Sequence, residues 1–106
     1  MKQIELMVLA AIMEAPAHGY ALAMRVGELT GGGVDVRPGN LYRVLERLEQ
    51  RGWIEETNAA VPDADDERRR YFGLTAAGRR AADAELRMYA NVLAHTRRMK
   101  ERFADG

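Results

Sequence analysis

Residues 38–53 read PGNLYRVLERLEQRGW, and as a helix this stretch separates two chemistries onto two faces. Leu41, Val44, Leu45 and Leu48 recur at three- and four-residue spacing and form an inward apolar stripe, while Asn40, Arg43 and Arg47 fall together on the other side. Pro38 suits the first helical position, where its missing N–H costs nothing, and Gly52 suits the residue just past the helix end. A short helix anchored by one face and presenting Asn and Arg from the other can enter a duplex major groove. Arg pairs with guanine edges and Asn with adenine edges. Arginines on an outer face are also ordinary solvated surface, so the flanking segments decide between the two readings.

Upstream, Gly31, Gly32 and Gly33 close an earlier helix that opens at His18-Gly19-Tyr20 and carries Tyr20, Leu22, Ala23, Val26 and Leu29 as its inward-facing set. Val34 to Val36 read as a short extended segment between the two helices. Pro16 stops a still earlier helix over residues 3–15, apolar on nearly every side: Ile4, Leu6, Met7, Val8, Leu9, Ile12 and Met13 are interrupted by Gln3, Glu5 and Glu14. A domain this small has little with which to cover such a helix, so a second chain is expected to pack on it.

Downstream, residues 53–57 (WIEET) and 70–74 (RYFGL) are β-compatible runs separated by a polar loop with Pro62 and the acidic DADDE segment. They predict an antiparallel hairpin with a long tip. Thr75 stands where a helix N-cap belongs, and the helix it opens spans roughly 30 residues and roughly 45 Å. Its Ala82, Leu86, Tyr89, Leu93, Thr96 and Phe103 make a heptad-like seam, widened by Ala81, Met88, Val92 and Met99 and broken by Lys100. With no later partner in the chain, that seam is expected to bury itself on a second chain or on the apolar first helix. Met7, Leu86, Tyr89, Leu93, Met99 and Phe103 are assigned to a dimer interface. Arg97, Arg98, Lys100 and Arg102 suit the negative end of the helix dipole.

The order helix, helix, helix, hairpin predicts a mainly α fold with a small β-hairpin: a winged helix-turn-helix domain over residues 1–74 and a long C-terminal dimerisation helix over residues 75–106. The 106-residue length supports one such domain plus an appendage. Absence of cysteine excludes a disulfide framework and a thiolate metal site. No apolar run approaches the roughly 20 residues of a membrane span, and the start MKQIELMVLAAIM lacks the pattern of a signal peptide, so a soluble cytoplasmic protein is expected.

Sixteen basic and sixteen acidic side chains cancel, which excludes a nucleic-acid coat driven by overall charge and leaves only a local footprint. Acids outnumber bases over residues 1–36, while residues 68–70 and 97–102 are locally basic. His18 and His95 come from different elements, and neither a phosphate loop nor a metal-spaced cluster appears. No enzyme, cofactor or metal is expected.

Three fragments share a further likeness. Pro16-Ala17-His18-Gly19-Tyr20 with Leu22, then Gly39-Asn40-Leu41-Tyr42 with Leu45, Leu48, Gly52 and Ile54, then Arg69-Arg70-Tyr71-Phe72 with Leu74-Thr75 and Gly78 resemble, in this order and spacing, the PadR family of transcriptional regulators. The single C-terminal helix resembles its compact subfamily. The resemblance implies a homodimer joined through the C-terminal helices, with the third helix (about 38–52) in the major groove of double-stranded DNA and the wing (about 53–74) on the backbone or minor groove. It places Asn40, Tyr42, Arg43 and Arg47 on the groove-facing surface, Tyr20 on a phosphate, and Arg68, Arg69 and Arg70 in a basic wing. Two-fold symmetry would set the two recognition helices about 34 Å apart, on a pseudo-palindromic operator. The resemblance also implies that aromatic side chains near the dimer groove, here Trp53 and Tyr71, can meet a small, flat hydrophobic effector.

Departures from the family's usual wording matter. Where Gly-Thr-Leu-Tyr-Pro is common, this chain has Gly39-Asn40-Leu41-Tyr42-Arg43, which adds a donor-rich side chain and a positive charge to the presented surface. Arg37 occupies the position of a capping hydroxyl, leaving the loop or a DNA phosphate to cap the helix. Gly73 stands where a bulkier strand residue is typical, and Asp63, Asp65, Asp66 and Glu67 precede the three arginines, where they can pair with them or repel a phosphate backbone. The expected function is a dimeric, sequence-specific DNA-binding transcriptional regulator, a repressor. The alternative is a winged-helix protein-interaction module without DNA binding, motivated by the zero net charge and the acidic wing tip.

Overall fold

All four residues of the Leu41-Val44-Leu45-Leu48 stripe are buried in the computed structural model, which describes residues 1–57 and 70–104. The elements run α1 (Gln3–Glu14), β1 (Ala17–His18), α2 (Gly19–Leu29), α3 (Pro38–Gln50), β2 (Ile54–Glu56), β3 (Tyr71–Leu74) and α4 (Ala76–Phe103). This is a winged helix-turn-helix body with a long helix leaving it, which stretches the chain to 59 × 26 × 25 Å. Around the α3 stripe gather Leu6, Leu9 and Ile12 of α1, Leu22 and Val26 of α2, Phe72 of β3 and Ala82 of α4. Each fully buried Leu or Val is worth about 1.5–3 kcal/mol over leaving it exposed.

The helix ends follow from local chemistry. Gly31 and Gly52 adopt positive φ (61° and 74°), which glycine reaches without a Cβ penalty. Past α3, the Gly52 N–H donates to Glu49 O (2.9 Å) and the Trp53 N–H to Leu48 O (3.0 Å). Past α2, the N–H groups of Gly31 and Gly32 donate to Glu28 O (3.1 Å) and Gly27 O (2.8 Å). Both helices thus end by the same two-bond closure of their last carbonyls. Arg25 reaches from α2 to the end of α1, where its Nη1 donates to Ala11 O (3.2 Å) and Ala15 O (2.6 Å). Thr75 caps α4, accepting from the Gly78 N–H (3.0 Å) while its hydroxyl donates to Gly52 O (2.6 Å). Gly78 is required by close approach: a Cβ there would fall 1.9 Å from the Trp53 carbonyl oxygen.

Several expectations change. The hairpin is the larger part of a three-stranded sheet of order β1-β3-β2, with Ala17 paired to Phe72 and His18 to Tyr71. Two residues are too short to show a strand period, and they belong to the sheet only because β3 comes back alongside them. Val34 to Val36 form no strand, although Val36 is buried in the core. On α2 only Leu22 and Val26 of the inward set are buried, with Ala23 half-buried; Tyr20 and Leu29 are exposed. Tyr20 lies about 200° around the helix from Leu22, on the opposite side.

The apolar circumference of α1 is covered within the chain, because it packs on α2, α3, β3 and α4 together. Its Ile4, Met7 and Met13 are half-buried against the core. Much of the cover expected from a second chain is thus supplied by the chain itself, through the central position of α1. Gly78 and Ala82 bring the first two turns of α4 into the same body, after which Leu86, Met88, Tyr89, Val92, Leu93 and Phe103 stand exposed. Met99 is half-buried. No helix among the described residues is long and apolar enough to cross a membrane.

Candidate nucleic-acid interface

The first turn of α3 is open. Arg37 is its N-cap and makes no side-chain capping bond, Pro38 follows, and the first backbone bond runs from the Leu41 N–H to Arg37 O (2.9 Å). The N–H groups ahead of Leu41 have no partner inside the helix, and the helix dipole adds positive character there. Arg37, Asn40, Tyr42 and Arg43 are all exposed. Arg37 and Arg43 make no ion pair among the described residues. Glu46, one turn beyond Arg43, shares the outward face and adds an acceptor of the kind that pairs with a cytosine amino group.

The N-terminus of α2 lies beside this turn. His18 caps α2, its Nδ1 accepting from the Ala21 N–H (3.3 Å), and its ring stacks on Tyr20 (centroids 6.3 Å apart) and meets Tyr71 edge-on (5.4 Å). Tyr20 is 70% exposed and Tyr42 57%. The Tyr42 ring rests against Gly19, where a Cβ would sit 3.3 Å from its hydroxyl oxygen. Between the two helix ends lies a cleft of about 180 Å³ lined by Gly19, Tyr20, Ala23, Pro38, Leu41 and Tyr42.

The far half of α3 is engaged internally. Glu5 of α1 is fully buried, and its carboxylate accepts from the Lys2 N–H (2.8 Å), from Arg47 Nε (3.4 Å) and from Arg51 Nη1 (3.2 Å). Burial alone would raise this carboxyl's pKa, but the Lys2 N–H and the guanidinium groups of Arg51 and Arg47 outweigh it and hold it below the ordinary value. Arg47 therefore does not share the free face with Asn40 and Arg43. It is half-buried, 35% exposed at the side chain, and turned toward α1.

Arg70, at the wing base, is likewise occupied. Its Nε donates to Glu56 Oε2 (3.1 Å), its Nη2 to Glu49 (3.2 Å), and its guanidinium lies 5.0 Å from the Phe72 ring centroid. Glu56 and Glu49 together hold it protonated beyond its ordinary range. Among the described residues the pairing acids come from β2 and α3. Arg68 and Arg69, with Asp63, Asp65, Asp66 and Glu67, lie outside the described residues. Arg51 lies over the Trp53 ring (5.0 Å to its centroid), and Tyr71 is buried, so neither aromatic offers an open platform within one chain. Among the described residues no group of three His, Cys, Asp or Glu is placed to hold a metal ion.

Sequence reasoning missed Glu5 and Glu49 as organisers. Glu5 had a signal: a carboxylate within an otherwise apolar helix must be paired if it is buried. Glu49 had none, since its partner lies twenty-one residues away across the hairpin.

The model of the transcriptional regulator PadR-like family matches residues 8–84, which takes in α3, the wing and the first turns of α4. This chain belongs to the PadR-like family. An uncharacterised 37.1 kDa transposon protein of Streptomyces fradiae is 32% identical over 88 residues, covering 83% of this chain but only 23% of that protein. Among solved structures, a PadR-like transcriptional regulator from Bacillus cereus superposes with a TM-score of 0.73 at 21% identity, over 91% of this chain and 89% of its own. A transcriptional regulator from Clostridium thermocellum gives 0.67 at 20% identity, over 94% and 88%. At such identities the structural likeness establishes the fold, and the family match establishes a class of transcription regulators, not of enzymes.

Proposed function

We propose that this PadR-like chain is a cytoplasmic, sequence-specific DNA-binding regulator that represses transcription as a homodimer. The observation that carries the reading is the free N-terminal half of α3, where Asn40, Arg43 and Arg37 stand exposed at an uncapped helix start with Tyr20 and Tyr42 beside them. Arg43 reads guanine, Asn40 reads adenine, and Arg37 and the α2 end with Tyr20 hold phosphates that position the helix in the major groove. Arg47 acts through its hold on Glu5. Arg68, Arg69 and Arg70 form a wing whose contact with the backbone requires at least Arg70 to leave Glu49 and Glu56.

Residues 1–74, with the first turns of α4 packed on them, form the DNA-binding part. The exposed α4 stripe of Leu86, Tyr89 and Leu93, continued to Met99 and Phe103, joins two copies, and the dimer presents two α3 helices about 34 Å apart to a pseudo-palindromic operator.

Selection of duplexes from a random-sequence pool by the full chain tests this directly. A single enriched palindrome is expected, bound with an affinity that falls steeply as salt is added. Enrichment that survives replacement of both Asn40 and Arg43 by Ala would remove α3 as the reader. Retention of no duplex at all would leave a winged-helix protein-interaction module, the reading that the neutralised Arg70 favours. Leu93→Asp or Phe103→Asp is expected to halve the mass seen by light scattering, because each would bury an unpaired charge in the joined stripe.

A further inference from the structure

The outermost line of α3 is not wholly basic. At about 100° per residue, Gly39, Arg43, Glu46 and Gln50 lie within about 30° of the direction opposite the buried Leu41-Val44-Leu45-Leu48 stripe, and all four are exposed. Arg43 and Glu46 are the two charged members of this ridge. They stand one turn apart, yet among the described residues neither makes an ion pair, with the other or with any third side chain. Glu49, the other acid of α3, is held by Arg70, so the free negative charge of this helix is Glu46.

A free carboxylate on this ridge has a consequence once the helix enters a groove flanked by phosphates. Its repulsion lowers affinity for every sequence, and the loss is recovered only where a base donor meets the carboxylate. Two groups donate at the major-groove edge, cytosine N4 and adenine N6. A carboxylate only accepts, and the adenine amino group sits beside N7, a second acceptor, whereas cytosine presents its donor alone. Arg43 and Glu46 are separated by about 4.5 Å along the helix, against about 3.4 Å between base pairs, so they suit neighbouring pairs.

We infer that Glu46 is a specificity-determining residue that reads a cytosine one base pair from the guanine read by Arg43. The inference rests on the DNA-binding reading above and adds a position where discrimination is gained through repulsion of every other sequence.

The test uses the full chain, the duplex it selects and an unrelated duplex of equal length. Each cytosine of the half-site is replaced singly by N4-methylcytosine, which keeps base pairing and covers the groove-facing N–H. One cytosine per half-site is expected at which this exchange lowers wild-type affinity roughly tenfold. Glu46→Ala brings that ratio to one and binds the unrelated duplex several-fold more tightly than wild type does. Glu46→Gln, whose amide pairs with adenine, moves the base preferred at that position from cytosine to adenine in a repeated selection. Because Glu46 is exposed and unpaired, both variants should keep the wild-type melting midpoint.

A cytosine preference that persists in Glu46→Ala overturns the inference, as does wild-type indifference to every N4-methylcytosine. If Glu46→Ala relaxes only the guanine position, Glu46 orients Arg43 instead of reading a base, and the inference fails. All three results leave DNA binding standing. Failure of the wild-type chain to enrich any duplex removes the DNA-binding reading itself, and Glu46 as a reader with it.

Discussion

Arg43 and Arg47 are one turn apart on α3, yet Arg43 is exposed without an ionic partner among the described residues, whereas Arg47 donates to a carboxylate that water does not reach. The same division runs along the whole helix. Its first half holds an uncapped start, Asn40 and two exposed tyrosine neighbours; its second half holds Arg47 and Arg51 against Glu5, and Glu49 against Arg70. One half is anchored, and the other is left available. A helix that must hold a fixed orientation while presenting side chains to a partner needs both, and here they are separated along its length.

The largest effect expected from breaking this contrast is on the free half. Replacing Asn40 and Arg43 together by Ala should lower affinity for the selected duplex by about a hundredfold, since each good base pairing is worth about 1–3 kcal/mol, with the thermal midpoint unchanged. Titration by fluorescence anisotropy beside a melting curve separates the two quantities.

Glu5→Ala attacks the anchored half. It should cost about 2–3 kcal/mol in chemical denaturation, because several charge-assisted hydrogen bonds vanish while Arg47 and Arg51 recover part of the loss by reaching solvent. Arg47→Ala, which leaves Arg51 on the carboxylate, should cost about 1–1.5 kcal/mol and shift duplex affinity less than the loss of Arg43 does. An equal loss of affinity in Arg43→Ala and Arg47→Ala would abolish the distinction between the halves.

The pH dependence sharpens the same point. The folded state holds the Glu5 carboxyl below its ordinary value, so its stabilisation is fully present above the unfolded carboxylate pKa of about 4.3 and is lost as pH falls through the lowered folded value. The stability gap between wild type and Glu5→Gln should therefore stay level near neutrality and close in acid. A gap that widens in acid would mean that the buried carboxyl is held protonated.

The smallest effect belongs to the wing base. Arg70→Ala removes half-exposed pairs with Glu49 and Glu56 and should change stability by no more than about 1 kcal/mol. Its effect on affinity tells whether Arg70 leaves those acids for DNA. An unchanged duplex affinity would keep Arg70 as a structural tie.

Much of this molecule is legible in its residues, for reasons of period and local chemistry. The α3 stripe, the two glycine-closed helix ends and the Thr75 cap each depend on residues a few positions apart, and all are found where their spacing puts them. On α2 apolar character alone misleads in two ways: Tyr20 lies on the side of the helix away from Leu22 and Val26, and Leu29 shares their phase but is the last residue of the helix and stands exposed. Likewise the composition of α1 shows how much surface needs cover but not which elements supply it.

The available half of the candidate site was the readable half: Asn40 and Arg43 keep the exposure their helical phase assigns. Arg47 and Arg70 were not readable in the same way, since their partners, Glu5 and Glu49, lie forty-two and twenty-one residues away. Phase around a helix says which way a side chain leaves the backbone, not what waits for it there.

By itself, then, the sequence determined the order of elements, the buried stripe of α3 and the residues available to face a partner, because each is a local consequence of side-chain spacing and backbone chemistry. Only the tertiary structure decided that α1 packs against four other elements of its own chain, that Ala17 and His18 join the sheet, and that Arg47 and Arg70, two of the arginines expected to face DNA, are held by carboxylates. Those outcomes depend on which distant segments meet, and a long side chain's charge is committed only once the fold has brought its partner within reach.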